Sequence, residues 1–120
     1  MKRKTILICD DDPGILEMLE LVLEDTGHEI IPEANSLNVR SIVNKQVPDL
    51  VILDLWMPVL SGDQVLKMFR ENPTTKDMPV IVISASTDGN DIALEAGATH
   101  FLAKPFDVGE LLDLVESYLN

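Results

Sequence analysis

The chain has one cysteine, few basic residues and no long apolar run, and each shortage excludes a class of protein. A single cysteine, Cys9, cannot form an internal disulfide, so a disulfide-stapled secreted scaffold is excluded. No segment approaches the roughly 20 apolar residues of a membrane-spanning helix, and we expect no membrane insertion. The basic N-terminus precedes an apolar stretch that ends at Cys9, which is too short for a signal-peptide core. We therefore expect a reduced, cytoplasmic protein.

Basic residues are scarce relative to acidic ones. Nine Lys and Arg stand against 21 Asp and Glu, which gives a formal net charge of −12. Such a surface repels nucleic acid and anionic lipid, so we expect no direct nucleic-acid binding by this chain. Any effect on transcription would then need another chain or domain. Where carboxylates cluster, this composition also calls for a bound cation.

What the sequence does contain is an alternation of two patterns. Short apolar runs rich in β-branched residues alternate with amphipathic stretches of helical spacing. The runs lie at 5–9, 28–31, 50–53, 80–83 and 99–103, and the amphipathic stretches lie at 15–23, 39–43, 65–69, 92–96 and 111–118. With 46% apolar residues the chain can form a core, so we predict one domain over residues 1–120. The predicted architecture is α/β, an open, doubly wound parallel sheet of five strands.

Two strand positions follow from composition. The run 50–53 is apolar throughout, as a central strand with both faces covered should be. The second run meets Pro32, which lacks a backbone donor and favours an edge strand. In such sheets, ligands bind at the carboxyl ends of the strands, so the residues that follow the runs are the candidate site.

Chemically useful side chains follow four of the five runs. The first run leads into three aspartates, and the others lead into Asp54, Ser84 and Lys104. Asp12 precedes Pro13 and is predicted to be a helix N-cap. Asp10 and Asp11 repel each other and Asp54 unless a counter-charge is present. A hard divalent cation bound through oxygen meets this need, and magnesium suits so few protein ligands.

Asp54 is the candidate nucleophile of this site. A carboxylate beside a metal and a lysine can accept a phosphoryl group as an acyl phosphate. The chemistry then depends on charge neutralisation and in-line positioning. Ser84 can donate a hydrogen bond to a phosphoryl oxygen, and Lys104 supplies a compact positive charge.

With these residues in place, the chain resembles the response-regulator receiver domains of two-component signalling, a CheY-like family. The resemblance covers nearly the whole chain and rests on the order and spacing of four segments, which are 6–14, 48–62, 79–85 and 96–106. It implies a flavodoxin-like fold with strand order 2-1-3-4-5. It also implies that Asp54 is phosphorylated, and that magnesium, or manganese in its place, is held by Asp10, Asp11, Asp54 and the backbone carbonyl of Trp56.

The resemblance further implies a switch and a set of partners. Lys104 would contact the phosphoryl group, and Ser84 and Phe101 would be the hydroxyl and the aromatic ring of the switch. The phosphodonor would be a histidine kinase or a histidine phosphotransfer protein, and the output would pass to a downstream protein or domain, with a phosphorylation-dependent dimer as one form. Such a domain is a phosphoacceptor and not an enzyme beyond its own phosphotransfer and slow dephosphorylation.

One segment departs from the family pattern. The stretch between Ser84 and Gly97 is a residue or two shorter than is common, which predicts a short fourth helix. Gly89 should weaken that helix, because glycine in a helix interior costs about 1 kcal/mol. We therefore expect a loosened or differently used output face.

Three other functions remain to be weighed against a phosphorylated receiver. One is a pseudo-receiver that binds proteins without being phosphorylated. A flavin-type binding module is disfavoured, because no glycine-rich or hydroxyl-rich loop follows the first strand and the aspartates there would repel a phosphate. An aspartyl phosphatase is disfavoured because Trp56 stands where such enzymes usually have a second carboxylate.

Overall fold

The computed structural model describes residues 3–85 and 89–119, which form a five-stranded sheet with helices on both faces. The strands are β1 (Thr5–Cys9), β2 (Glu29–Glu33), β3 (Leu50–Asp54), β4 (Val80–Ser84) and β5 (His100–Ala103). The helices are α1 (Pro13–Glu24), α2 (Val39–Lys45), α3 (Gly62–Glu71), α4 (Gly89–Ala96) and α5 (Val108–Leu119). All neighbouring strands are parallel, in the order β2-β1-β3-β4-β5, which confirms the predicted fold.

The apolar runs form the centre because both of their faces are covered. Strands β1, β3 and β4 are buried along their whole length. Successive side chains of a strand point to opposite faces, so each run supplies two layers of core. One layer, with Leu7, Val51 and Val82, packs under α2, α3 and α4. The other, with Ile8, Ile52 and Ile83, packs under α1 and α5.

Strand β2 is an edge strand, as Pro32 predicted. It pairs only with β1 and is half-buried or exposed along its length. It also starts and ends later than the run 28–31, because its pairing with β1 continues to Cys9 opposite Glu33. His28 lies just before it, where its Nδ1 atom accepts a hydrogen bond of 3.0 Å from the backbone N–H of Lys4.

The helix ends follow local chemistry. The carboxylate of Asp12 accepts a bond of 2.9 Å from the N–H of Gly14, and Pro13 occupies the first turn, which confirms the predicted N-cap. Helix α4 is short, as predicted, but Gly89 is the first residue of its described span and not an interior one. Residues 86–88 lie outside the described residues. None of the described helices has the length and apolarity needed to cross a membrane.

Arg70 joins the amino ends of β4 and β5 to the end of α3. Its guanidinium donates five hydrogen bonds of 2.7–3.3 Å, to the backbone carbonyls of Thr75, Lys76, Met78 and Gly97 and to the hydroxyl of Thr99. Burial lowers the pKa of Arg70, while nearby Asp77 opposes that shift. One side chain thus connects three chain segments at the amino ends of the strands, whereas the candidate site lies at their carboxyl ends.

Candidate functional site

Four of the predicted site residues lie together at the carboxyl ends of the parallel strands. Asp54 and Ser84 are the last residues of β3 and β4, and Asp10 and Lys104 directly follow β1 and β5. The parallel register fixes their relative heights, because Ser84 lies opposite Ala103 and the N–H of Lys104 donates to the carbonyl of Ser84 at 2.8 Å. Residues 10, 54, 84 and 104 therefore meet through sheet pairing, although they are far apart in sequence.

Lys104 bridges two buried carboxylates. Its Nζ atom lies 3.1 Å from Asp10 Oδ2 and 3.3 Å from Asp54 Oδ1. Asp10 is fully buried and Asp54 nearly so. A buried carboxylate is costly unless its charge is compensated, and here a single ammonium is shared between two carboxylates. The second oxygen of Asp10 accepts a bond of 2.9 Å from the N–H of Asp12, so both oxygens of Asp10 are oriented.

Three carboxylates at this edge could hold a metal ion. Ligand oxygens of Asp10, Asp11 and Asp54 all lie within 4.8 Å of one another, and no other such group occurs in the part of the chain that the structure describes. Hard oxygen donors, of which Asp11 is exposed and the others are buried, suit Mg²⁺, which keeps several of its waters. One ammonium among three carboxylates leaves negative charge uncompensated. The donor set therefore fits the predicted cation.

The electrostatics of the cluster act most strongly on Asp54. Burial and then the negative charge of Asp10 raise the pKa of Asp54 from 3.8 to about 6, although Lys104 pulls it down. Burial alone would lower the pKa of Lys104, but the carboxylates of Asp10 and Asp54 outweigh it and raise that pKa. At neutral pH Asp54 is therefore ionised, and its burial beside Asp10 lowers the stability of the folded state. Lys104 is protonated.

The loop between β3 and α3 is unusual in two ways. Trp56, two residues after Asp54, leaves 49% of its surface exposed, and Val59 leaves 83% exposed. Val59 also has a positive φ of 69°, which a β-branched residue rarely adopts. The loop thus places apolar surface and local backbone strain beside the acidic cluster.

Sequence reasoning missed the role of Gly62 in placing Asp54. A Cβ atom at this position would lie 2.2 Å from the carbonyl oxygen of Asp54 and 2.7 Å from the Cα of Leu55. The N–H of Gly62 also donates to the carbonyl of Leu55 at 2.7 Å. The start of α3 therefore packs directly on the backbone of the candidate nucleophile. The available signal was a glycine immediately after Ser61, in a stretch that otherwise favours a helix.

The two predicted switch residues lie on neighbouring strands. Ser84 is fully buried at the end of β4, and Phe101 in β5 is opposite Val82 and half-buried. The ring of Phe101 packs against Gly89, since a Cβ atom there would meet it at 3.0 Å. Gly89, which sequence reasoning treated only as a weak helix former, therefore makes room for the aromatic ring at the start of α4.

Cys9 lies directly beneath the site but is not a nucleophile. Burial, followed by the negative charges of Glu33 and Asp10, raises the pKa of its thiol to about 12. Its Sγ atom lies 3.7 Å from the sulfur of Met57, within the core. The thiol is therefore protonated and inert at neutral pH.

A doubly wound parallel sheet with a lysine and three carboxylates at the carboxyl ends of its strands defines a class of α/β domain with an acidic site that could hold a cation. Residues 6–116 match the response regulator receiver domain family. The chain belongs to that family, and its fold is the CheY-like form of the flavodoxin-like fold.

Known proteins similar to this chain are of different lengths. The phosphate regulon transcriptional regulatory protein PhoB of Pseudomonas aeruginosa is 33% identical over 122 residues, which is all of this chain but 53% of that protein. Sporulation initiation phosphotransferase F of Bacillus subtilis is 37% identical over 121 residues, which is 99% of this chain and 96% of that protein. The chain thus spans about half the length of several curated relatives and nearly all of another. Among solved structures, chemotaxis protein CheY4 of Vibrio cholerae superposes with a TM-score of 0.89 at 28% identity, covering 98% of this chain and 100% of that one.

Proposed function

We propose that this chain is a phosphorylation-dependent signalling switch in which Asp54 is the phosphoacceptor. The observation that carries the proposal is the position of the Asp54 carboxylate, nearly buried at the end of β3 and 3.3 Å from the ammonium of Lys104. The phosphodonor is the phosphohistidine of a histidine kinase or a histidine phosphotransfer protein, as family membership implies.

The transfer step needs little covalent chemistry from the protein. A carboxylate oxygen of Asp54 attacks phosphorus, an O–P bond forms while the P–N bond of the donor breaks, and the imidazole nitrogen keeps the electron pair of that bond. Lys104 pairs with the phosphoryl oxygens, and the hydroxyl of Ser84 donates to one of them. Asp10, Asp11, Asp54 and the backbone carbonyl of Trp56 would hold Mg²⁺, or Mn²⁺, which when bound supplies positive charge against the phosphoryl oxygens.

The ionisation state of Asp54 suits this role. A carboxyl with a pKa of about 6 is ionised at cytoplasmic pH, yet it is poorly solvated and therefore reactive. Slow hydrolysis of the acyl phosphate at the same site would reset the switch, so turnover beyond the chain's own phosphotransfer is not proposed.

The conformational response is proposed to run through Ser84 and Phe101. A phosphoryl group that accepts a hydrogen bond from Ser84 draws the end of β4 toward Asp54. The ring of Phe101, which packs against Gly89, then shifts with the start of α4. The surface formed by α4, β5 and α5 changes as a result and is read by a downstream protein, by an output domain or by a second copy.

An apolar hollow beside the site offers a contact for the phosphodonor protein. It has a volume of about 330 Å³, adjoins Lys104 and is lined by Ile15, Met18, Pro105 and Phe106. A protein whose phosphohistidine reaches Asp54 would cover this hollow.

The free, buried Cys9 supports a reducing compartment, and we propose a cytoplasmic location.

Intact mass spectrometry tests the acceptor assignment. The native chain is incubated with Mg²⁺ and acetyl phosphate, beside Asp54→Asn and the matched control Asp113→Asn, which changes an exposed aspartate of α5. The native chain and the control should each gain one base-labile phosphoryl group, and Asp54→Asn should gain none. A native chain that stays unmodified, with no change in Trp56 fluorescence on adding Mg²⁺, would instead support the pseudo-receiver that binds proteins without phosphorylation.

A further inference from the structure

The sheet separates surfaces of opposite charge character. Helices α1 and α5 pack on the same side of the sheet and contain no lysine or arginine. Their six acidic residues are Glu17, Glu20, Glu24, Glu110, Asp113 and Glu116. On the other side, the segment 34–48, which contains α2, has Arg40 and Lys45 and no acidic residue. In a chain with 21 Asp and Glu, α2 is the one helix among the described residues that has basic residues and no acidic residue.

The outer face of α2 is an exposed stripe beside two hollows. The stripe is defined by Arg40, Ser41, Asn44 and Lys45, which share one face of α2 by helical spacing, and by Leu37 in the 3₁₀ turn Ser36–Asn38 that precedes the helix; 55% of Leu37 is exposed. One hollow of about 500 Å³ lies between α2 and α3, with Val43, Met68 and Phe69 in its lining and Glu71 as its one acidic residue. The other, of about 470 Å³, is lined by the stripe itself.

Helix α1 has an exposed stripe of the opposite sign. It is defined by Glu17, Glu20, Leu21 and Glu24, which share one face by the same spacing, and 62% of Leu21 is exposed. Within the described residues, 3–85 and 89–119, Lys104 makes both ion pairs. The charged side chains of the two stripes therefore form no ion pair within one copy of the chain. Each stripe therefore offers charges of one sign around a single exposed leucine.

We propose that copies of this chain associate head to tail, with the α1 stripe of one copy on the α2 stripe of the next. Leu21 enters the hollow between α2 and α3, where Met68 and Phe69 offer apolar surface. Glu20 and Glu24 face Arg40 and Lys45. Because the two stripes lie on opposite sides of the sheet, the contact is heterologous and leaves a free stripe at each end, so it can repeat.

The net charge of −12 does not prevent such a contact at physiological salt. The domain measures 34 × 32 × 24 Å, so the centres of touching copies are about three Debye lengths apart at about 8 Å per length. Repulsion between net charges is screened over that distance, whereas charges in contact across the stripes are screened far less. The contact area is small, so we expect a dissociation constant on the order of 0.1–1 mM.

Sedimentation equilibrium with reciprocal charge reversals tests the proposal. The native chain at millimolar concentration should show a weight-average mass above its 13.3 kDa, and raising the salt should weaken association by about tenfold, as two exposed ion pairs would give. Arg40→Glu/Lys45→Glu alone and Glu20→Lys/Glu24→Lys alone should be monomeric. An equimolar mixture of the two should associate again, because each altered stripe then meets a complementary one.

Matched controls separate the stripes from net charge. Arg3→Glu/Lys76→Glu changes the net charge as the α2 variant does, and Asp113→Lys/Glu116→Lys changes it as the α1 variant does, at exposed positions outside both stripes. Both controls should associate like the native chain. A monomeric native chain, controls that dissociate equally, or a mixture that stays monomeric would each overturn the proposal. The acetyl phosphate test is independent of it, since no residue of either stripe belongs to the cluster of Asp10, Asp11, Asp54 and Lys104.

Discussion

Replacing Asp54 with asparagine should stabilise the metal-free protein at neutral pH. Asparagine has nearly the same shape as the protonated aspartate, and its carbonyl can still accept a bond from Lys104. The change removes one of three clustered carboxylates while leaving Asp10 paired at 3.1 Å with Lys104. An aspartate that acts only as a structural cap would change little on the same substitution, because asparagine caps a helix about as well as aspartate.

The size of the effect follows from the pKa of Asp54. The folded value of about 6 lies above the ordinary 3.8, so the folded state holds the proton more tightly. This contribution to stability is fully present below about pH 3.8 and is lost as the pH rises through about 6. The loss amounts to about 3 kcal/mol in full and about 2 kcal/mol between pH 4.5 and 7.5. The free energy of unfolding of the asparagine variant, relative to that of the native chain, should therefore increase by about 2 kcal/mol from pH 4.5 to 7.5.

Urea unfolding in EDTA at several pH values measures this advantage. Groups away from the site titrate alike in both proteins, so the pH dependence of the difference in unfolding free energy reports on Asp54 and the groups that it contacts. Adding Mg²⁺ should then narrow or reverse the gap, because a ligand at about 100 times its dissociation constant stabilises the native chain by about 2.7 kcal/mol, and the variant lacks one carboxylate ligand. A gap that stays constant with pH, or a variant less stable than the native chain at neutral pH in EDTA, would refute the electrostatic account of the site.

Three further substitutions test the surroundings of the site by urea unfolding. Val59→Gly should raise the free energy of unfolding by about 0.5–1 kcal/mol, because glycine adopts a φ of 69° without steric strain and the strain removed exceeds the entropic cost of glycine. A lower free energy of unfolding would show that Val59 is unstrained. Gly62→Ala should cost about 3 kcal/mol and slow phosphorylation, because its Cβ would meet the carbonyl of Asp54; a neutral result would contradict the close packing. Arg70→Gln should cost about 2–3 kcal/mol by freeing the carbonyls it binds, including that of Gly97, and a cost below about 1 kcal/mol would show that water replaces it.

The sequence alone determined the fold and the composition of the site. Its continuous apolar runs, which alternate with helical stretches, specify a parallel sheet, because both faces of the runs must be covered. The carboxyl ends of parallel strands lie at one end of the sheet, so residues 10, 54, 84 and 104 are expected from the sequence to meet there. Pro32 at the edge and Asp12 at the N-cap were also predictable, since each depends on local backbone chemistry.

Only the tertiary structure decided the features that depend on distance between remote segments. Lys104 pairs with both Asp10 and Asp54, and the pKa of Asp54 is raised, because of burial and proximity that no local pattern encodes. The roles of Gly62 and Gly89 arise because another segment occupies the space of a missing side chain. The separation of an acidic α1 from a basic α2 likewise needs the sheet between them. Local sequence determines which elements form, whereas three-dimensional packing determines which of their side chains share charge, space and solvent.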